Sequence, residues 1–76
     1  MNFEQAAERV KTLSQKPDDN EMLQLYALYK QATVGNINVE RPSFWQLVAK
    51  AKWDAWNEVQ GMDSESAKEK YIVLFK

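Results

Sequence analysis

Apolar side chains at Phe3, Ala6, Ala7, Val10 and Leu13 recur at three- and four-residue spacing, which gathers them on one stripe of a helix. The pattern predicts a helix over about residues 3 to 15, ended by Pro17. Asp18, Asp19 and Asn20 then offer N-cap acceptors, and Met22, Leu25, Tyr26, Tyr29 and Ala32 carry the helical spacing on to Gly35, a natural residue just past a helix end. Residues 36 to 42 lose the periodicity and hold Asn36, Asn38 and Pro42, so they read as a loop. Ser43 with Gln46 has the spacing of a capping box, and a third helix is expected to start there, with Leu47, Ala51, Ala55 and Val59 along one face and a stop near Gly61. Asp63 or Ser64 caps a fourth, in which Ala67, Tyr71 and Leu74 share a face with Ile72 and Phe75 beside it. Four short helices, brief links and no alternating strand pattern predict an all-α, four-helix bundle, with residues 1–76 as one domain.

Seventy-six residues bury little of their surface, so the core must be efficient; three Trp, three Tyr and three Phe supply large buried areas at few positions. The chain has no Cys and no His, which excludes a disulfide framework and any zinc site built on thiolate or imidazole. Ten basic against eleven acidic side chains give a net charge of −1, too little for an overall field that draws in nucleic acid or an anionic membrane. An anion must be caught locally. The start of the chain lacks the basic and apolar regions of a signal peptide, and no apolar run is long enough to span a bilayer, so the expected location is the cytoplasm.

Catalysis finds few means here. General acid-base chemistry has no imidazole, nucleophilic chemistry has no thiol, and the serines at 14, 43, 64 and 66 sit in no nucleophile-elbow context. Phosphate recognition cannot use a glycine-rich loop, because Gly35 and Gly61 are the only glycines. Side chains must serve instead. Tyr26, Tyr29 and Lys30 share a helix face, and Lys11 and Lys52 add point charges from other helices. A tyrosine ring can stack on a purine while a neighbouring ammonium meets the attached phosphate. Spacing alone leaves the other reading open, in which the lysines are solvated and Tyr26, Tyr29 and Tyr71 are core rings with hydroxyls at the rim. Trp53 and Trp56 read as core anchors, with Asp54 and Asn57 as interhelical hydrogen-bond partners.

Tyr29-Lys30-Gln31-Ala32-Thr33, Gly35, Arg41-Pro42 and the block from Lys50 to Asn57, together with Phe3, Pro17, Tyr26 and Tyr71-Ile72, resemble the acyl-CoA-binding protein family from Phe3 to about Leu74. The resemblance implies that family's four-helix bundle and a non-enzymatic carrier that binds and buffers medium- or long-chain fatty acyl-CoA. It implies no cofactor beyond that ligand. Position by position, Tyr29 would stack on adenine, Tyr26, Lys30 and Lys52 would hold the 3′-phosphate, Lys11 and Tyr71 would complete the head-group site, and Met22 and Leu25 would line the acyl groove. The implied partners are the acyl-CoA ligand and, transiently, acyl-CoA-using enzymes, with no nucleic acid, no stable membrane insertion and a monomeric protein.

Two departures stand out. Residues 43 to 49 read Ser-Phe-Trp-Gln-Leu-Val-Ala, where the family usually has a more polar stretch with glycine first and often lysine in place of Val48. The chain also stops at Lys76, several residues before the family's fourth helix usually ends. The apolar segment 44–48 is expected at the mouth of the acyl groove, facing the ligand tail. The alternative is a protein-interaction module that docks through Phe44, Trp45 and Val48.

Overall fold

Asn2 and Gln5 cap each other at the start of the first helix. The Gln5 amide donates to Asn2 Oδ1 at 2.8 Å, and the Asn2 amide donates to Gln5 Oε1 at 3.1 Å, so two amides that a helix start leaves without partners are satisfied together. The computed structural model describes residues 2–12 and 18–75, in four helices: α1 (Phe3–Lys11), α2 (Asp19–Thr33), α3 (Leu47–Glu58) and α4 (Ser64–Phe75). No strand occurs among the described residues. Thr12 caps the end of α1 through its amide to the Arg9 carbonyl; the expected run to residue 15, with Leu13 and Pro17, lies outside the described residues, as does the side chain of Phe75.

The other boundaries follow local chemistry. Asp18 Oδ1 accepts from the Glu21 amide at 2.8 Å and starts α2. Gly35, at φ +101°, lets its amide turn back to the Lys30 carbonyl at 3.1 Å, a conformation that costs other residues more. Asp63 Oδ2 accepts from the Ser66 amide at 3.3 Å at the start of α4, and Ser64 Oγ donates to the Ala32 carbonyl at 2.8 Å, which ties that start to the end of α2.

The capping box expected at Ser43 does not form. The Gln46 amide donates instead to the Ser43 carbonyl at 2.9 Å, closing a turn around Phe44 and Trp45, and α3 begins at Leu47 with no side-chain cap. Of the expected apolar face of α3, Ala51, Ala55 and Val59 are half-buried, Val59 against the core, while Leu47 lies open at the helix start and Trp56, outside the expected set, is the buried residue of this helix.

Helix α2 packs against both α3 and α4, and α1 lies against α4. The core joins Phe3 and Ala6 of α1, Leu25 and Leu28 of α2, and Ala67 and Tyr71 of α4, with Val10, Ala32, Met62 and Leu74 among the residues around it. The Cα envelope measures 36 × 28 × 14 Å. Its thin dimension matches two helix layers, given interaxial spacings of about 8–10 Å and a Cα cylinder about 2.3 Å in radius. Two layers cannot enclose any helix on all sides, and α2 has crevices on opposite faces.

Candidate functional site

Helix α2 places Met22, Tyr26, Tyr29 and Thr33 on one outer face, because they follow one another at three- and four-residue steps. Two crevices flank this face. The first, of about 550 Å³, runs between α1 and α2 and is lined by Phe3, Ala7, Val10, Lys11, Met22, Leu25, Tyr26, Tyr29 and Tyr71, among others. The second, of about 450 Å³, lies between α2 and the start of α3 and is lined by Asp19, Met22, Leu23, Tyr26, Leu47, Val48, Ala51 and Lys52. Met22 and Tyr26 belong to both and form the ridge between them.

Cations converge on that ridge. Lys52 of α3 sets its Nζ 5.3 Å from the centre of the Tyr26 ring, and Lys30 of α2 sets its Nζ 6.0 Å from the same ring and 5.5 Å from that of Trp56. Rings at this range attract ammonium groups through their quadrupoles. The Tyr26 ring therefore has an ammonium from each of two helices within 6.0 Å of its centre. Among the described residues neither lysine forms an ion pair with a carboxylate within 4.0 Å.

Tyr29 remains 43% exposed, and its ring stacks on Phe3 at 5.7 Å between centroids with an interplanar angle of 28°. Phe3 is in turn edge-on to Tyr71 at 5.1 Å. Tyr29 is thus a ring supported from beneath with an outer face open to solvent. Tyr71 is buried, and burial foremost, with the nearby Tyr29 second, raises its phenol pKa above the ordinary value. It serves the crevice as a wall. Leu25 likewise lines the floor from the core, while Met22 is open on the rim. Lys11 borders the first crevice, with its ammonium 3.5 Å from a Glu8 carboxylate oxygen.

Seven of the eight expected site residues thus line one or both crevices, and Lys30 joins them through its ammonium above Tyr26. Phe3, Ala7 and Val10 were legible only as core stripe, yet they also wall the first crevice; the stripe on α1 is wide enough to face core and crevice at once. Of the apolar segment, Leu47 and Val48 line the second crevice, whereas Phe44 and Trp45 line neither.

The two tryptophans part company. Trp56 is buried and donates from Nε1 to the Gly35 carbonyl at 2.9 Å, holding α3 to the end of α2. Trp53 is only half-buried and donates to the Val39 carbonyl in the loop at 2.7 Å, so it anchors the loop rather than the core. Asp54 also reaches the loop, not a neighbouring helix. Arg41 donates from Nε and Nη2 to its two carboxylate oxygens at 3.0 and 3.1 Å, and this hydrogen bonding holds the Asp54 carboxyl below the usual carboxylate range.

A third crevice of about 560 Å³ opens on the opposite side of α2, against α3 and α4, lined by residues including Ala27, Leu28, Val59, Met62 and Val73. Its one cation, Lys70, shares the lining with Glu58 and Glu69, and no tyrosine borders it, so it is poorly equipped to meet a polyanion. Among the described residues no group of three potential metal ligands comes together.

The family model described as "Acyl CoA binding protein" matches residues 1–75. The chain is 51% identical over 72 residues to the acyl-CoA-binding protein homolog of Drosophila melanogaster, covering 95% of this chain and 84% of that protein. It is 47% identical over 74 residues to the acyl-CoA-binding protein of Dictyostelium discoideum, covering 97% and 88%. The crystal structure of Oryza sativa acyl-CoA-binding protein 2 superposes with a TM-score of 0.90 at 44% identity, covering 96% of this chain and 81% of that one.

Proposed function

The chain belongs to the acyl-CoA-binding protein family, and we propose that it holds a medium- or long-chain fatty acyl-CoA ester non-covalently, acting as carrier and buffer without catalysing a reaction. The observation that carries the assignment of the site is the convergence of Lys30 and Lys52 on Tyr26, between two apolar crevices.

The ligand has two unlike ends. Its three phosphoryl groups bear about four negative charges at neutral pH, and its tail contributes roughly 0.8 kcal/mol for each methylene withdrawn from water. In this reading Lys30, Lys52 and the Tyr26 hydroxyl hold the 3′-phosphate, and the open face of Tyr29 stacks on adenine. Lys11 and Tyr71 complete the head-group site, and Met22 and Leu25 line the path of the tail. Residues 1–76 act as one acyl-CoA-binding domain. Release to acyl-CoA-using enzymes needs only transient contact, and a monomer suffices. The cytoplasm fits a chain that has no Cys to oxidise.

Calorimetry against acyl-CoAs of graded chain length, with free CoA and free fatty acid as controls, tests this reading. Saturable one-to-one binding that strengthens with each added methylene is expected. Equal affinity for free CoA and its long-chain esters would remove the tail from the mechanism.

A further inference from the structure

The sequence holds no Cys and three Met, so the thioethers of Met1, Met22 and Met62 are its only sulfur. Met1 lies outside the described residues, and the other two differ in setting. Met62 is half-buried and packed against the core. Met22 is 43% exposed in the first turn of α2, where its amide donates to the Asp18 carbonyl at 2.9 Å. An oxidant reaches exposed thioethers first.

The place of Met22 gives its oxidation a consequence. Only Met22 and Tyr26 line both crevices that flank the outer face of α2, so a tail in either one passes the thioether. Methionine is a polarisable, unbranched filler, and its sulfoxide turns the same side chain into a polar one with an acceptor oxygen. On the open rim water solvates that oxygen. A methylene tail drawn over the residue displaces the water and supplies no donor in return, which costs affinity. The helix itself is spared, because the side chain stands outside the core.

We propose that Met22 is a site of reversible oxidation, and that its sulfoxide loosens the hold of either crevice on an acyl tail. A peroxide supplies the oxygen. Its O–O bond breaks as an S–O bond forms, and the departing oxygen takes up the proton of the transferred one. The thioether is oxidised to the sulfoxide, and the peroxide is reduced to water or an alcohol. A methionine sulfoxide reductase reverses the change with two electrons from thiols, releasing water. The loss of affinity rests on the acyl-CoA reading; the exposure that admits the oxidant does not.

Treatment with dilute hydrogen peroxide, followed by peptide mass mapping and calorimetry with a long-chain acyl-CoA, tests the proposal. Met22 should oxidise before Met62, and more slowly when the ester is bound. The oxidised protein should lose roughly tenfold in affinity for the ester, keep its helical circular dichroism, and recover its affinity after the reductase. Met22→Leu given the same treatment should lose nothing, which separates Met22 from Met1 and Met62. Untreated Met22→Gln should bind as weakly as the oxidised protein. Earlier oxidation of Met62, full affinity in the oxidised wild type, or an equal loss in treated Met22→Leu would each overturn the inference and leave the acyl-CoA reading standing. Untreated protein that binds no long-chain ester would overturn both.

Discussion

The ammonium of Lys52 stands 5.3 Å from the centre of the Tyr26 ring, across the boundary between α3 and α2. Twenty-six positions separate the two residues in sequence, and their meeting adds an ammonium from α3 to the ridge where α2 already sets Lys30 over Tyr26. Lys52→Ala should weaken acyl-CoA binding by about 1.5–3 kcal/mol, the range for hydrogen bonds to charged groups. Titration with the 3′-dephosphorylated ester is the control. The variant and wild type should bind that ester almost equally, and a full loss there too would place Lys52 elsewhere on the ligand.

Tyr29 separates stacking from hydrogen bonding. Tyr29→Ala should lose about 1–3 kcal/mol of affinity, the range for base stacking on an aromatic ring. Tyr29→Phe should keep most of it, because the ring supported by Phe3 is preserved. Matched losses in the two variants would point to the hydroxyl.

Asn36 joins three parts of the fold. Its Oδ1 accepts from Gln31 Nε2 at 2.9 Å and from the Gly61 amide at 2.6 Å, while the same Gln31 nitrogen donates to the Met62 carbonyl at 2.8 Å. Asn36→Ala should cost about 1–3 kcal/mol of stability, since it strips a partner from a buried amide. Urea unfolding should show a lower midpoint, with ligand stoichiometry unchanged. A midpoint equal to wild type would mean that water replaces the side chain without loss.

The Arg41–Asp54 pair predicts a pH dependence of definite sign. Hydrogen bonding from Arg41 lowers the Asp54 pKa in the folded protein, so its stabilising effect is complete above the ordinary carboxylate value and is lost as pH falls through the lowered one. Asp54→Asn should therefore flatten the acid limb of a stability–pH profile and leave part of it, because Asp63, lowered by hydrogen bonds from Ser66, acts with the same sign. Superimposable acid limbs in the two proteins would show that the pair is silent.

Much of this architecture was legible along the chain. The Asp18 cap, Gly35 and Gly61 beyond helix ends, and the buried stripe of Phe3, Ala6, Leu25 and Tyr71 are encoded within a few residues of where they act, because caps and helical periodicity are local chemistry. The kinds of residue that make the ridge were legible for the same reason. What tertiary structure decided is which of these groups meet. Ser43 and Gln46 have the spacing of a capping box, yet their backbone closes a turn instead. Trp53 and Trp56 lie three positions apart, and the packing of α3 on α2 buries one and turns the other to the loop. The approach of Lys52 to Tyr26, the bond from Trp56 to Gly35 and the Gln31–Asn36–Gly61 junction all depend on how helices lie against one another, and that placement is set by many weak contacts summed over the core rather than by any short stretch of sequence.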